Sequence, residues 1–128
     1  MPSVEAIRMS AGLKALCDAN RIRILEILVG GEFCVSDLVQ RLGVDQPKVS
    51  HHLGILRAAA IIRSRRDGRH INYSVRPGVH RRQETPQGIM DVFDLGDLSV
   101  SFRFRRDGLA RQGTETISAE PARTQAME

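Results

Sequence analysis

Two cysteines and a dense set of arginines are the side chains of this chain that are best suited to reactivity or binding. Cys34 directly precedes an apolar segment of helical spacing, residues 35–42, which places its thiol at a helix N-terminus. Amide dipoles at such a position favour the thiolate, the form that a soft-metal ligand or a redox sensor requires. The alternative interpretation of Cys34 is a small buried thiol, and Cys17 is predicted to lie in the core.

The remaining polar side chains form no catalytic or chelating pattern. Adjacent histidines such as His51 and His52 point about 100° apart on a helix and do not easily hold one ion together. Asp91, Asp94 and Asp97 lack the glycine and glutamate of a calcium loop and are interpreted as turn and edge charges. Because no motif sets a nucleophile beside a base, the sequence predicts a protein that is not an enzyme.

Arginine dominates the charge of the chain. Of 19 basic residues among 128, only Lys14 and Lys48 are lysines, and the net charge is +4. Residues 46–82 hold nine basic groups and one acidic group, whereas the segments on either side are net acidic. Since the planar guanidinium binds phosphate and guanine edges through paired hydrogen bonds, this cluster favours a nucleic-acid partner over a merely solvated surface.

Helical periodicity fills the first half of the chain. Apolar residues recur at helical spacing over residues 4–17, 18–29, 35–42 and 46–59. Asp18 and Asp45 are positioned to cap the second and fourth helices, and Gly43 to end the third. Because only two residues separate Gly43 from the fourth helix, the last two helices are predicted to form a helix-turn-helix.

A β-hairpin is predicted immediately after these helices. Residues 61–66 and 69–75 flank Asp67 and Gly68, a dipeptide that accepts the positive φ angles of a two-residue turn. Four arginines cluster toward the predicted turn, at positions 63, 65, 66 and 69. A hairpin that follows a helix-turn-helix is the wing of a winged helix.

The predicted fold class is therefore mainly α (α+β): a winged helix-turn-helix with a β-hairpin wing, a C-terminal β-hairpin and a disordered tail. Prolines and glycines in residues 76–89 predict a linker, and alternation from Leu98 to Phe104 predicts a half-buried strand. From about Asp107 the sequence is polar and aperiodic. The predicted units are a DNA-binding domain at 1–76, a linker at 77–89, a hairpin at 90–106 and a tail at 107–128.

Positions 17–75 resemble winged-helix transcriptional repressors of the ArsR/SmtB type. The resemblance rests on the segments NRIRIL, FCVSDL, VSHHLGILR and RSRRDGRHINYSV. It implies a homodimer that represses transcription from an imperfect palindromic operator and releases it on a metal, metalloid or redox signal. Ala60 departs from the pattern, because a glycine normally ends the recognition helix there.

Metal-sensing members of that family often carry Cys-Val-Cys-Asp at the third helix, where this chain has Cys34-Val35-Ser36-Asp37. With one thiolate replaced by Ser36, a soft metal or metalloid ion would need Cys34 together with Cys17 or a residue of the other subunit. A cofactor is therefore not certain. The helical zinc site of many relatives would fall in the predicted linker and is doubted for that reason.

The residues expected to contact DNA fall into two groups. The first turns of a recognition helix face the groove floor, which makes Gln46, Lys48, Ser50 and His51 the candidates for base edges or nearby phosphates. His52 falls where the helix packs against its neighbours and is interpreted as structural or phosphate-directed. The expected phosphate contacts are Arg57, Arg63, Arg65, Arg66, Arg69 and His70.

Two further expectations concern assembly and location. The dimer contact is predicted to use the first helix together with the strand from Leu98 to Phe104. The chain has no apolar run long enough for a membrane span, and Glu5 and Arg8 interrupt the place of a signal peptide, so a cytoplasmic protein is expected. The alternative function is a winged-helix module that binds protein without reading DNA.

Overall fold

The computed structural model describes residues 1–104 of the chain. The predicted tail at 107–128 and the last residues of the predicted hairpin lie outside this range. Within it, the chain folds into four helices and six strands: α1 Val4–Leu16, α2 Ala19–Leu28, β1 Phe33–Cys34, α3 Val35–Leu42, α4 Gln46–Ala58, β2 Ile62–Asp67, β3 His70–Val75, β4 His80–Thr85, β5 Gly88–Leu95 and β6 Leu98–Phe102. No helix of the described range is long and apolar enough to cross a membrane.

The predicted wing is confirmed, with a one-residue correction at its tip. Asp67 pairs with His70, so the two-residue loop is Gly68–Arg69 rather than Asp67–Gly68. Gly68 has φ +64°, which a side chain would disfavour. The wing hairpin also gains a short third strand, since β1 pairs antiparallel with β3 in the order β1-β3-β2. No local sequence pattern marks this two-residue strand.

The predicted linker at 77–89 is wrong for residues 80–85, which form β4. This strand pairs along its full length with β5, and β5 pairs with β6, in a second antiparallel sheet of order β4-β5-β6. The error has a physical cause: β4 is an edge strand with exposed Arg81, Arg82 and Glu84, so it needs no apolar alternation. The hairpin between β5 and β6 is confirmed.

One hydrophobic core joins the helices to both sheets. Its fully buried members include Ile24 and Leu25 of α2, Leu38 of α3 and Phe93 of β5. Gly12 of α1 lies against the β5–β6 turn, where a Cβ atom would stand 3.4 Å from Leu95 Cδ1. The second sheet therefore packs against the helices and is not joined to them only by a linker.

Two predicted residue environments are wrong. Cys17, expected in the core, is exposed at the C-cap of α1, one residue beyond the last helical residue, Leu16. Asp91, expected as an edge charge, is fully buried in the middle strand of the second sheet. His80 Nε2 lies 2.7 Å and Arg82 Nε 3.3 Å from Asp91 Oδ1, which compensates the buried carboxylate.

Helix ends follow the predicted residues in most places. Gly43 ends α3 with φ +67°, and Ala60 takes φ +61° after α4 despite its side chain. The side chain of Asp45 makes no capping hydrogen bond, although Asp45 occupies the N-cap position of α4. Asp18 caps α2 as predicted, because its Oδ1 accepts from the backbone N–H groups of Asn20 at 2.8 Å and Arg21 at 3.2 Å.

The Asp18 cap predicts an acid dependence of stability. Burial alone would raise the pKa of Asp18, but the backbone hydrogen bonds from Arg21 and Asn20 and the nearby His52 outweigh it and lower the pKa. A lowered folded-state pKa contributes stability at neutral pH that is lost as the pH falls below about 4. We expect Asp18→Asn, which keeps the capping oxygen, to lose less stability than wild type over this range. Urea unfolding at a series of pH values measures it, and parallel profiles would contradict it.

Candidate nucleic-acid interface

Helix α4 is fixed on one side by the core and exposed on the other. Val49, Leu53 and Leu56 are buried against α2 and α3, which leaves α4 no freedom to roll. The four residues predicted to read base edges, Gln46, Lys48, Ser50 and His51, are all exposed on the first two turns. The i, i+4 and i, i+3 spacings make Gln46 a neighbour of Ser50, and Lys48 of His51. All four residues therefore lie on the solvent-exposed part of α4, as two neighbouring pairs.

His52 is partly buried beside the start of α2. Arg21 Nη1 donates to His52 Nδ1 at 3.1 Å, and His52 Nε2 lies 3.8 Å from the Asp18 carboxylate. Arg21 Nε also donates to the Ala15 carbonyl at 2.6 Å, so one guanidinium links α1, α2 and α4. Sequence reasoning missed Arg21, because only the folded chain brings it to a residue 31 positions away.

The wing presents its basic residues in two states. The side chains of Arg63, Arg66, Arg69 and His70 are exposed and make no hydrogen bond or ion pair within residues 1–104. Arg57 Nη1 instead donates to Ser64 Oγ at 3.1 Å, which ties the end of α4 to β2. The first group is thus available to an external anion, whereas Arg57 has a role in holding the wing.

Arg65 is already occupied by a carboxylate. Its Nε and Nη2 donate to the two oxygens of Glu32 at 3.0 and 2.7 Å, a bidentate pair. These hydrogen bonds hold the pKa of Glu32 below its ordinary value and raise the pKa of Arg65. The charge of Arg63 also lowers the pKa of Glu32. A phosphate at Arg65 would have to displace Glu32, a competition that no local sequence pattern reveals.

Cys34 lies at the N-cap of α3 and also on the wing sheet. Its backbone N–H donates to Asp37 Oδ2 at 3.4 Å, and its Sγ lies 3.3 Å from the same oxygen and 3.2 Å from Ser36 Oγ. Cys34 and Cys17 are free thiols. Within residues 1–104 no three His, Cys, Asp or Glu side chains gather closely enough to hold a metal ion.

Comparison with known proteins identifies the family of this chain. Residues 18–64, which span α2, the helix-turn-helix and the start of the wing, match the model of the bacterial regulatory protein, arsR family. The transcriptional repressor SdpR of Bacillus subtilis is 33% identical over 89 residues, which cover 70% of this chain and 97% of SdpR. The chain belongs to the ArsR family. It is a DNA-binding transcriptional repressor with a winged helix-turn-helix.

Other relatives agree over a shorter length. The arsenical resistance operon repressor of Staphylococcus aureus is 38% identical over 60 residues, or 47% of this chain and 58% of that protein. This ArsR-family chain thus spans nearly all of SdpR but only somewhat more than half of the arsenical repressor. The crystal structure of NolR from Sinorhizobium fredii matches with TM-score 0.55 and 32% identity, over 61% of this chain and 84% of NolR.

The cap position of Cys34 in this ArsR-family protein yields a stability prediction. A thiol is a poor acceptor for the first amides of a helix, whereas a serine hydroxyl is among the preferred ones. We expect Cys34→Ser to raise the free energy of unfolding by about 0.5–1 kcal/mol. Cys17→Ser should stay within about 0.5 kcal/mol of wild type, because Cys17 is exposed and caps α1 through its backbone N–H and not through its side chain. Urea unfolding of both variants measures the difference, and equal stabilities would show that Cys34 does not limit the cap.

Proposed function

We propose that this protein acts as a homodimer whose two α4 helices enter successive major grooves of an imperfect palindrome. The observation that carries the proposal is the exposed surface of Gln46, Lys48, Ser50 and His51 on a helix whose opposite side is locked in the core. Glutamine pairs with adenine and lysine with guanine in the major groove. Two such helices related by a two-fold axis would lie about one helical turn of DNA apart.

The wing supplies the second half of the proposed contact. Exposed side chains without internal partners at Arg63, Arg66, Arg69 and His70 would neutralise phosphates beside the groove, with Arg66 or Arg69 reaching the minor groove from the tip. Arg57 and Arg65, bound to Ser64 and Glu32, are proposed to hold the wing at its angle to α4. Both can still add positive potential to the surface, since each remains exposed.

Fluorescence anisotropy tests this function. Reduced protein is titrated into duplex from its own upstream region and into a scrambled duplex of equal composition, at two salt concentrations. An autoregulatory repressor should bind the upstream duplex at least about tenfold more tightly. Weak binding that is equal on both duplexes and lost in salt would contradict autoregulation and favour the alternative of a protein-interaction module.

The proposed dimer contact uses α1. Val4 and Ile7 are neighbours on one face of this helix and are more than half exposed, at 58% and 56%. The predicted second contributor, the strand from Leu98 to Phe104, has little apolar surface to offer. Val100, Phe102 and Phe104 pack against the core of their own chain, and the alternating Ser99 and Ser101 face outward. We therefore place the dimer contact on α1 without that strand.

A charge on this face is expected to separate the subunits. Burying an isoleucine contributes about 1.5–3 kcal/mol, so Ile7→Glu should raise the dimer dissociation constant at least about tenfold. Sedimentation equilibrium measures the change, with Arg8→Gln, on an adjacent face of the same helix, as the matched control. An unchanged dissociation constant in Ile7→Glu would refute the contact.

The signal that releases DNA is proposed to act through a thiol, with Cys34 as the candidate. Cys34, Ser36 and Asp37 offer one thiolate and no second soft ligand, so this segment of one chain does not fit a soft-metal site. Cys17 remains a proposed second thiol only through its exposure, which makes it accessible to an oxidant or to another subunit.

A further inference from the structure

A groove of about 430 Å³ lies where the wing sheet, the end of α2 and the start of the second sheet meet. Three apolar side chains, Leu28, Val29 and Val75, form its floor, and polar groups make up the larger part of its lining. Its sides carry three basic groups, Arg63 of β2, Arg76 after β3 and His80 of β4. A volume of this size falls in the range of small-molecule sites in proteins, about 300–1,000 Å³. The groove therefore combines an apolar floor with cationic walls.

Two of the three basic groups of the groove, Arg63 and Arg76, have no hydrogen-bonded side-chain partner in the part of the chain that the structure describes. Both side chains are exposed. Glu32 is the acidic residue in the lining, and both of its oxygens already accept from Arg65. His80 is anchored through Nε2 to the buried Asp91, which fixes the imidazole ring at the groove wall. An anion that entered here would meet two guanidinium groups that hold no internal hydrogen bond within residues 1–104, beside the Glu32 carboxylate, whose pKa the charge of Arg63 also lowers.

We infer that this groove binds a small organic carboxylate with a short aliphatic chain. Guanidinium groups match the two oxygens of a carboxylate, and the apolar floor accounts for the aliphatic part, which a bare inorganic anion lacks. The chemistry of the site is thus amphiphilic, with one negative charge against Arg63 and Arg76 and a few methylene groups over the partly buried Val29 and Val75.

The position of the groove couples such a ligand to DNA. Arg63 belongs both to the groove and to the group proposed to contact phosphates, so a carboxylate bound there removes positive charge from the DNA-facing wing. The groove also spans the junction between the wing and β4, so the ligand would fix the wing relative to the second sheet. This coupling rests on the proposed function, whereas binding of the carboxylate itself does not.

Hexanoate is a suitable probe, with hexanol as the uncharged analogue and inorganic phosphate as the anion without an apolar part. In ¹⁵N-resolved NMR titrations we expect hexanoate to shift the amides of Gly31 and Gly78, which line the groove. For a ligand of this size the dissociation constant should be on the order of 1–10 mM. Arg76→Gln should weaken binding about tenfold, since it removes charge-assisted hydrogen bonds. Arg8→Gln, outside the groove, should leave binding unchanged.

The outcomes separate the groove from its coupling to DNA. Hexanoate shifts that do not saturate, that hexanol reproduces with equal affinity, or that persist unchanged in Arg76→Gln would overturn the carboxylate site. Phosphate binding as tight as hexanoate would overturn the role of the apolar floor. If hexanoate binds and lowers the DNA affinity of wild type but not of Arg76→Gln, both steps are supported. If it binds without changing DNA affinity, the coupling is refuted. Failure of the protein to bind DNA would contradict the proposed function and leave the NMR test of the groove intact.

Discussion

Replacing Phe93 by alanine is expected to lower the free energy of unfolding by about 3–5 kcal/mol, the usual cost of truncating a buried phenylalanine. Phe93 is 0% exposed and belongs to the same core as the helices, although it lies on the middle strand of the second sheet. Its ring stands 5.2 Å from that of His80 and 5.8 Å from that of Phe102. Since domain stabilities are about 5–15 kcal/mol, the variant should be close to unfolding.

Two probes and one control make this prediction specific. Urea unfolding followed by circular dichroism of the helices and by NMR signals of β5 should give one coincident transition in wild type and in Phe93→Ala. Phe104→Ala, which removes a partly buried ring stacked on Phe102, should cost clearly less. Loss of the β5 signals in Phe93→Ala with the helices still intact would show that the second sheet is a separate unit.

Local rules account for most of the first 75 residues. The spacing of apolar residues, the Asp18 cap and the left-handed Gly43 each act within a few positions of the chain, so the sequence was sufficient to predict them. Ala60 shows the strength of this local logic. It takes φ +61° where a glycine is usual, because α4 and the buried start of β2 hold the turn in place.

The second sheet was predicted only in part, because the residues of its edge strand, β4, do not indicate a strand by themselves. Strand β4 forms because it pairs with β5. Neither Arg81 nor Arg82 has a preference for strands that would predict it. The buried Asp91 is the clearest example of a residue whose environment depends on distant partners. Its contacts with His80 and Arg82 become visible only when the two strands are aligned.

The candidate DNA surface was predicted from residue type. The structure shows which of its residues are exposed and which are bound to other residues of the chain. Exposure of Gln46, Lys48, Ser50 and His51 follows from helical periodicity alone. The partners of Arg65 and Arg21 do not, since Glu32 and His52 lie more than 30 positions away in sequence. Charge counting therefore located the wing, whereas separating positioning arginines from free ones required the folded chain.

The largest expected effect on DNA binding comes from replacing a candidate base-contacting residue of α4. Lys48→Ala should lower the ratio of affinities for specific and scrambled duplex by about tenfold or more, since a good base contact contributes about 1–3 kcal/mol of discrimination. Gln46→Ala should act in the same direction, because its side chain is also exposed on the first turn of α4. Arg69→Ala should instead weaken both duplexes by a similar factor and reduce the salt slope by about one.

Arg65→Ala is the matched control for Arg69→Ala, because both remove one guanidinium from the wing. The two side chains differ in that Arg65 is held by Glu32 at 2.7 Å while Arg69 has no such partner within residues 1–104. We expect the smaller loss of affinity in Arg65→Ala. The guanidinium of Arg65 is already bound to Glu32, so its removal costs no phosphate contact. Anisotropy titrations of all four variants at two salt concentrations measure these differences. Equal losses on both duplexes for every variant would refute base reading by α4, and a larger loss for Arg65 than for Arg69 would show that DNA displaces Glu32 from the wing.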